Sequence, residues 1–344
     1  MGILFDYNSI NTKIRGLGKY LLSEENYAEI AESNTISEAV VYLKRHPSYQ
    51  NILANVDETS IHRGELEGLL QTSIYKTFTK IYRFANLEQR KFLDLYFIKY
   101  EIIVLKSCLR MVFDDRNMDL DLSYFQDIFN KLSHMDIVDL SNSATLEEMV
   151  SKLKGSPYYV ILWKLHSLSS PTLFDYEMAL DNYYFSQMWK KHDEFLKGVD
   201  LKIIKDNYGY KMDLLNIQWI FRSKNYYKVS ASDIYSIIIP FHHKLRKSEV
   251  SALIESSSTD EFFSILENSY YKKQFSNMDS KSLEKIYLYS MNQLYDSNVR
   301  KYPYSIASIN TYLYRKEYEI DRLTTLLEGI RYKLDKEDVL SYIM

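Results

Sequence analysis

Gly16-Leu17-Gly18-Lys19 comes nearest in this chain to phosphate chemistry, because glycine-rich backbone followed by lysine can cradle an anion. A phosphate loop also needs a glycine at position 13 and a hydroxyl after the lysine, and the chain has Lys13 and Tyr20 there. No nucleotide site follows. The seven histidines (His46, His62, His134, His166, His192, His242 and His243) show no zinc spacing. On a helix the adjacent pair His242-His243 would point about 100° apart, so it reads as a solvated segment end. The carboxylates form no calcium loop and no Glu-x-x-His pair, and the acids from Asp114 to Asp121 read as a solvated loop. There is no G-x-S-x-G elbow for a hydrolytic serine. Cys108, the single cysteine, lies in an apolar helical pattern and reads as a buried structural thiol. Trp219 to Lys228 interleaves Arg222, Lys224 and Lys228 with Tyr226 and Tyr227, which could stack single-stranded nucleic acid. A net charge of -3 supplies no general pull toward nucleic acid, and none is expected as a partner. No catalytic, cofactor-binding or metal-ligating residue is assigned.

The elements are helices. Only 9 Gly and 5 Pro occur in 344 residues, against a usual share of about 12%, so tight turns and β-bulges are scarce. Apolar residues make up 46% of the chain, with 32 Tyr and 16 Phe, enough for a sizeable core in two or three domains. Tyr302 to Tyr314, the longest stretch free of charge, is 13 residues long, short of the roughly 20 a bilayer-spanning helix needs. The opening MGILFDYN carries Asp6 where a secretory signal would be basic, and a cytoplasmic protein is expected. Glu65 to Tyr82 and Leu87 to Phe113 have helical periodicity, the latter through Ile98, Ile102, Leu105, Leu109 and Val112. Asp114 to Asp121, Ser167 to Thr172, Asn207 to Gly209 and Asp296 to Pro303 read as breaks.

Three segments open a helix alike: Thr35-Ile36-Ser37-Glu38, Thr145-Leu146-Glu147-Glu148 and Ser258-Thr259-Asp260-Glu261. In such a capping box the hydroxyl accepts from the N–H three residues on, and the glutamate reaches back to the N–H of the cap. Five residues after each glutamate stands a leucine (Leu43, Leu153, Leu266), then a tyrosine-marked stop containing Tyr49, Tyr158 or Tyr271. The caps lie 110 and 113 residues apart. A second pattern repeats with them. Tyr7, Ile10 and Ile14 precede Arg15; Ile102, Leu105 and Leu109 precede Arg110; Leu214, Ile217 and Phe221 precede Arg222; Leu323, Leu326 and Ile330 precede Arg331. Apolar residues at 0, 3 and 7 form one helical stripe, with the arginine at its edge. Each arginine then has two readings: a boundary residue with its stem on the core, or one of a set facing a docking surface. The spacing predicts an all-α protein of three similar helical bundles in pseudo-threefold arrangement: 1–95, closed by the C-terminal helix; 96–205; and 206–344, which includes that closing helix.

The order and spacing along the whole chain resemble the family of V/A-type ATPase C subunits, which includes the d subunit of the eukaryotic vacuolar enzyme. The opening helix has the Asn-containing run Asn8-Ser9-Ile10-Asn11-Thr12-Lys13-Ile14-Arg15. The middle carries Asp213-Leu214-Leu215-Asn216 leading to Arg222-Ser223-Lys224, and the end carries Lys316-Glu317-Tyr318-Glu319, Leu323 and Gly329. Two departures stand out: Glu101-Ile102-Ile103-Val104 replaces a D-x-x-N pattern in the first long helix, and Ile330-Arg331 rather than lysine follows Gly329.

The resemblance implies a funnel-like rotor part without an active site or cofactor. It would be seated on a membrane-embedded ion-carrying ring, receive the central-stalk subunits, and transmit torque for ATP-coupled proton or sodium transport. It also implies a cytoplasmic location, peripheral to the membrane through the complex. Arg15, Arg110, Arg222 and Arg331 are the candidate partner-binding residues. An all-helical protein–protein interaction scaffold unrelated to a rotary ATPase is the alternative.

Overall fold

The computed structural model describes residues 2–114, 122–168, 170–275 and 283–343, and among them every regular element is a helix. In chain order these are α1 (Gly2–Gly18), α2 (Glu24–Ala31), α3 (Ile36–Arg45), α4 (Gln50–Leu53), α5 (Arg63–Phe84), α6 (Leu87–Asp114), α7 (Ser123–Leu132), α8 (Ile137–Ser141), α9 (Leu146–Lys152) and α10 (Pro157–His166). They continue as α11 (Leu173–Phe195), α12 (Gly198–Asn225), α13 (Ala231–Ile237), α14 (Lys247–Glu255), α15 (Thr259–Glu267), α16 (Lys272–Phe275), α17 (Leu283–Lys301), α18 (Ala307–Arg331) and α19 (Lys336–Ile343). The all-α expectation holds.

The helices group into two compact units. The first takes residues 1–87, 117–142 and 308–344, so the C-terminal helices α18 and α19 belong with the N-terminal ones. α5 packs against α1, α4 and α7, and α19 against α2. Its core includes Ile30, Leu43, Leu70, Phe78, Ile81 and Leu323. The second unit takes residues 88–116 and 143–307. Here α12 is the central post, packed on α11, α14 and α17, which explains why it is buried along most of its length.

Local chemistry fixes where helices begin. Thr35, Thr145 and Ser258 each sit in extended backbone, and each hydroxyl accepts from the N–H three residues on, at 3.2, 3.2 and 3.1 Å. The glutamates differ from the expected box in one respect. Glu38, Glu148 and Glu261 reach one residue further back, to the N–H groups of Asn34, Ala144 and Ser257, at 2.7, 2.9 and 2.7 Å. Reciprocal boxes start α2 and α11, from Ser23 with Asn26 and from Thr172 with Asp175. A cap of this kind is worth about 1 kcal/mol.

The structure departs from the expected breaks and segment ends at three places. Asn207 to Gly209 lie in the middle of α12, and Asp296 to Lys301 continue α17, so the chain breaks only at Tyr302 to Ile306. Gly–Asn chemistry reads as a turn only where the backbone is free to turn; here packing of α12 on three neighbours overrides it. His243 is not a solvated segment end: its side chain is nearly buried against Asp206. Of the predicted loop Asp114 to Asp121, Asp114 ends α6 and the rest lies outside the described residues. Cys108 is buried, and burial pushes its thiol up to about 12, as a structural thiol requires.

Candidate docking residues and the joints that place them

Each capped helix is followed, four to six residues past its end, by a buried tyrosine: Tyr49, Tyr158 and Tyr271. Each phenol donates to a carboxylate on a long helix. Tyr158 Oη lies 2.6 Å from Glu101 on α6, Tyr271 Oη 2.9 Å from Asp213 on α12, and Tyr49 Oη 2.5 Å from Glu319 on α18. Burial first, and the facing carboxylate second, hold all three phenols above their ordinary range, so they remain donors.

Asp213 is fully buried and accepts three backbone N–H groups besides. His243 N donates to Oδ1 at 2.9 Å, and Lys244 N and Leu245 N to Oδ2 at 2.6 and 3.0 Å. One turn on, Asn216 clasps the same segment, its amide donating to Ile239 O at 2.9 Å and its carbonyl accepting from Ile239 N at 2.8 Å. The D-x-x-N run thus pins residues 239–245 to α12. Glu319 does the equivalent in the first unit, accepting from Leu22 N at 2.6 Å and pairing with the buried Lys316. Leu22 stands 13 residues before the cap Thr35, and Leu245 stands 13 before Ser258, so the two joints share their register. Glu101, the departure in the first long helix, supplies the acceptor that an aspartate supplies in α12. Val104 is buried apolar and makes no clasp like that of Asn216.

Gly209 permits the close approach of the pinned segment. A Cβ there would lie 2.4 Å from His243 Cγ and 2.6 Å from its Cβ. In a free helix Gly→Ala gains about 1 kcal/mol, but overpacking costs about 1–3 kcal/mol. The obstructing atoms are at the root of a side chain whose own N–H is held by Asp213, so they cannot swing away. Gly209→Ala is therefore expected to lower stability in urea by about 1–2 kcal/mol, and His243→Ala in the same chain to recover most of that loss.

His192 and His243 give the second unit a pH dependence of definite sign. Burial dominates at both and lowers their pKa values below 6.5, although Asp206 at 3.0 Å opposes it at His243. The unfolded chain then binds protons that the folded chain refuses. Stability is full above pH 6.5 and falls as the pH drops through the depressed values. Thermal melts should shift downward from pH 7.5 to pH 5.5, and His192→Gln should flatten that slope.

The four stripe arginines emerge where their edge position predicts. The apolar residues that precede them are buried, apart from the half-buried Ile330. Arg15, Arg110 and Arg222 are exposed and Arg331 is half-buried. Three have acids at hand: Arg110 meets Glu177 at 2.7 Å, Arg222 meets Glu284, and Arg331 meets Glu328 at 3.3 Å. Arg15 makes no ion pair among the described residues. Arg15 and Arg331 belong to the first unit, Arg110 and Arg222 to the second. Lys224, two residues after Arg222, is not a surface cation: its ammonium caps the end of α14, donating to Leu253 O at 3.2 Å and Ser256 O at 2.6 Å.

The acid–tyrosine joints escaped sequence reasoning as pairs, although the members of two of them, Glu101–Tyr158 and Asp213–Tyr271, stood at repeated positions. The signal was a spacing: 57 residues separate Glu101 from Tyr158, and 58 separate Asp213 from Tyr271. Each acid also stands nine residues before its arginine, Arg110 or Arg222.

Comparison with known proteins gives a consistent result. The family model described as ATP synthase (C/AC39) subunit matches residues 10–342. A relative from Methanosphaera stadtmanae, named as the C subunit of an A-type ATP synthase, is 23% identical, covering 95% of this chain and 84% of that protein. Proteins of the same name from Methanococcoides burtonii and Thermococcus onnurineus are 23% and 25% identical. They cover 96% and 94% of this chain, and 92% and 86% of their own lengths.

Proposed function

Because this chain belongs to the ATP synthase (C/AC39) subunit family, we propose that it is a non-catalytic coupling part of a rotary ATPase. It joins the central-stalk subunits to the membrane-embedded ion-carrying ring and passes torque between them during proton or sodium transport. The observation that carries the reading is the family match over nearly the whole chain, with relatives named as C subunits of A-type ATP synthases. In this reading the chain is held at the membrane through the complex; no described helix is long and apolar enough to cross a membrane.

The joints suit such a part. A coupler must resist shear between its helices, and a carboxylate that ties a phenol to a long helix, with three backbone N–H groups at Asp213 and one at Glu319, resists sliding as well as separation. A phenol–carboxylate joint after each of the three capped helices also supports a three-unit organisation with the boundaries 1–95, 96–205 and 206–344. The arginines are the docking candidates, since a guanidinium at the edge of a rigid stripe can exchange its intramolecular acid for a partner's carboxylate.

Calorimetry and co-elution with the central-stalk subunits of the same organism test the reading. A one-to-one complex is expected, weakened about tenfold or more by Arg222→Glu with the fold retained. Absence of a complex between folded partners would reject it; unchanged affinity in Arg222→Glu would reject the arginine's role alone.

A further inference from the structure

α10 is apolar or aromatic except for Lys164 and His166 in its last turn, yet part of that apolar surface is exposed. Tyr158 and Leu162 are buried in the second unit, while Val160 and Trp163 on the other side are 68% and 41% exposed. Two residues past its end Leu168 is 58% exposed, and Phe174 at the start of α11 is 52% exposed. Large apolar side chains left exposed in one stretch of chain mark a candidate binding surface. Tyr159 stacks on Trp163 with ring centroids 5.8 Å apart, so the aromatic part is preformed.

Charge identifies the occupant. From Met149 to Phe174 the sequence has no Asp or Glu, but it has Lys152, Lys154, Lys164 and His166. Lys152 pairs with Glu148 at 2.9 Å; Lys154 and Lys164 are exposed and make no ion pair among the described residues. Lysine is depleted at protein–protein interfaces, where arginine is the preferred cation. Tryptophan and tyrosine flanked by lysine are what a lipid headgroup region selects: amphipathic rings at the boundary, ammonium groups at the phosphates.

The geometry points to the Val160–Trp163–Leu168–Phe174 face as a contact with the surface of an anionic bilayer. The side chains enter the headgroup boundary, and Lys154 and Lys164 meet lipid phosphates. This goes beyond the coupling role and does not depend on it, since the lipid contact is made by this chain alone.

The test is flotation of the full chain with phosphatidylglycerol-containing vesicles and with pure phosphatidylcholine vesicles, with tryptophan emission recorded. Binding is expected to the anionic vesicles, with a blue shift, and to weaken at 0.5 M salt. The double variant Val160→Asp/Leu168→Asp alters exposed positions and should lose binding by tenfold or more, and Lys164→Glu should lose about tenfold. Unchanged melting curves confirm that both variants are folded. No binding to anionic vesicles, or binding that both variants keep, overturns the proposal. Loss of self-association or of stalk-subunit binding in the variants, without any vesicle effect, would instead identify a protein occupant and also overturn it. Stalk binding measured on the same samples separates failure here from failure of the coupling role.

Discussion

Asp213→Ala should lower the stability of the second unit by about 3–5 kcal/mol, the range for an uncompensated buried polar cluster. The carboxylate accepts from His243 N, Lys244 N, Leu245 N and Tyr271 Oη, all between 2.6 and 2.9 Å except Leu245 N at 3.0 Å. Its removal strands four donors at a site with no solvent exposure. Tyr271→Phe removes one donor together with its need for an acceptor, and should cost only about 1 kcal/mol. Urea midpoints give the comparison, and amide exchange at Lys244 and Leu245 shows where the loss falls. A loss under about 1 kcal/mol for Asp213→Ala, or exchange rates left unchanged at those amides, would show that the segment 239–245 is held by something else.

Glu319→Leu should be of similar size in the first unit. Lys316 and Glu319 have side-chain exposures of 3% and 4%, and the carboxylate also serves Leu22 N and Tyr49 Oη. Lys316 lies 4.6 Å from the centroid of the Tyr49 ring and 3.2 Å from its hydroxyl, contacts that cannot replace a counter-ion in a dry site. A lone buried ammonium costs about 3–5 kcal/mol. Adding Lys316→Met removes that charge and should restore about half of the loss, because a well-packed apolar pair often stands in for a buried ion pair. Equal stabilities of the single and double variants would mean that the ammonium finds water after Glu319 is gone.

The sequence carried the fold where the information is local. The caps at Thr35, Thr145 and Ser258 lie within four residues of their partners, and the stripes before the arginines need only helical periodicity. It failed where partners are distant. Nothing near Asp213 announces that Tyr271 and the backbone of Lys244 will converge on it, because that meeting depends on α12, α14 and α15 packing together. The same cause misread Asn207 to Gly209: the glycine serves a close contact with His243 across the unit, not a turn. The stripe arginines stood between two readings, and their positions, exposed at Arg15, Arg110 and Arg222 and half-buried at Arg331, fit both, since an edge residue is also what a partner can reach.

Membranes containing the rotary complex offer the most direct test. If this chain is the coupling part, stripping it away should abolish ATP-driven ion transport while ATP hydrolysis by the catalytic head continues, and adding it back should restore transport. Transport that persists without the chain, or hydrolysis lost from the isolated head with it, would contradict the account.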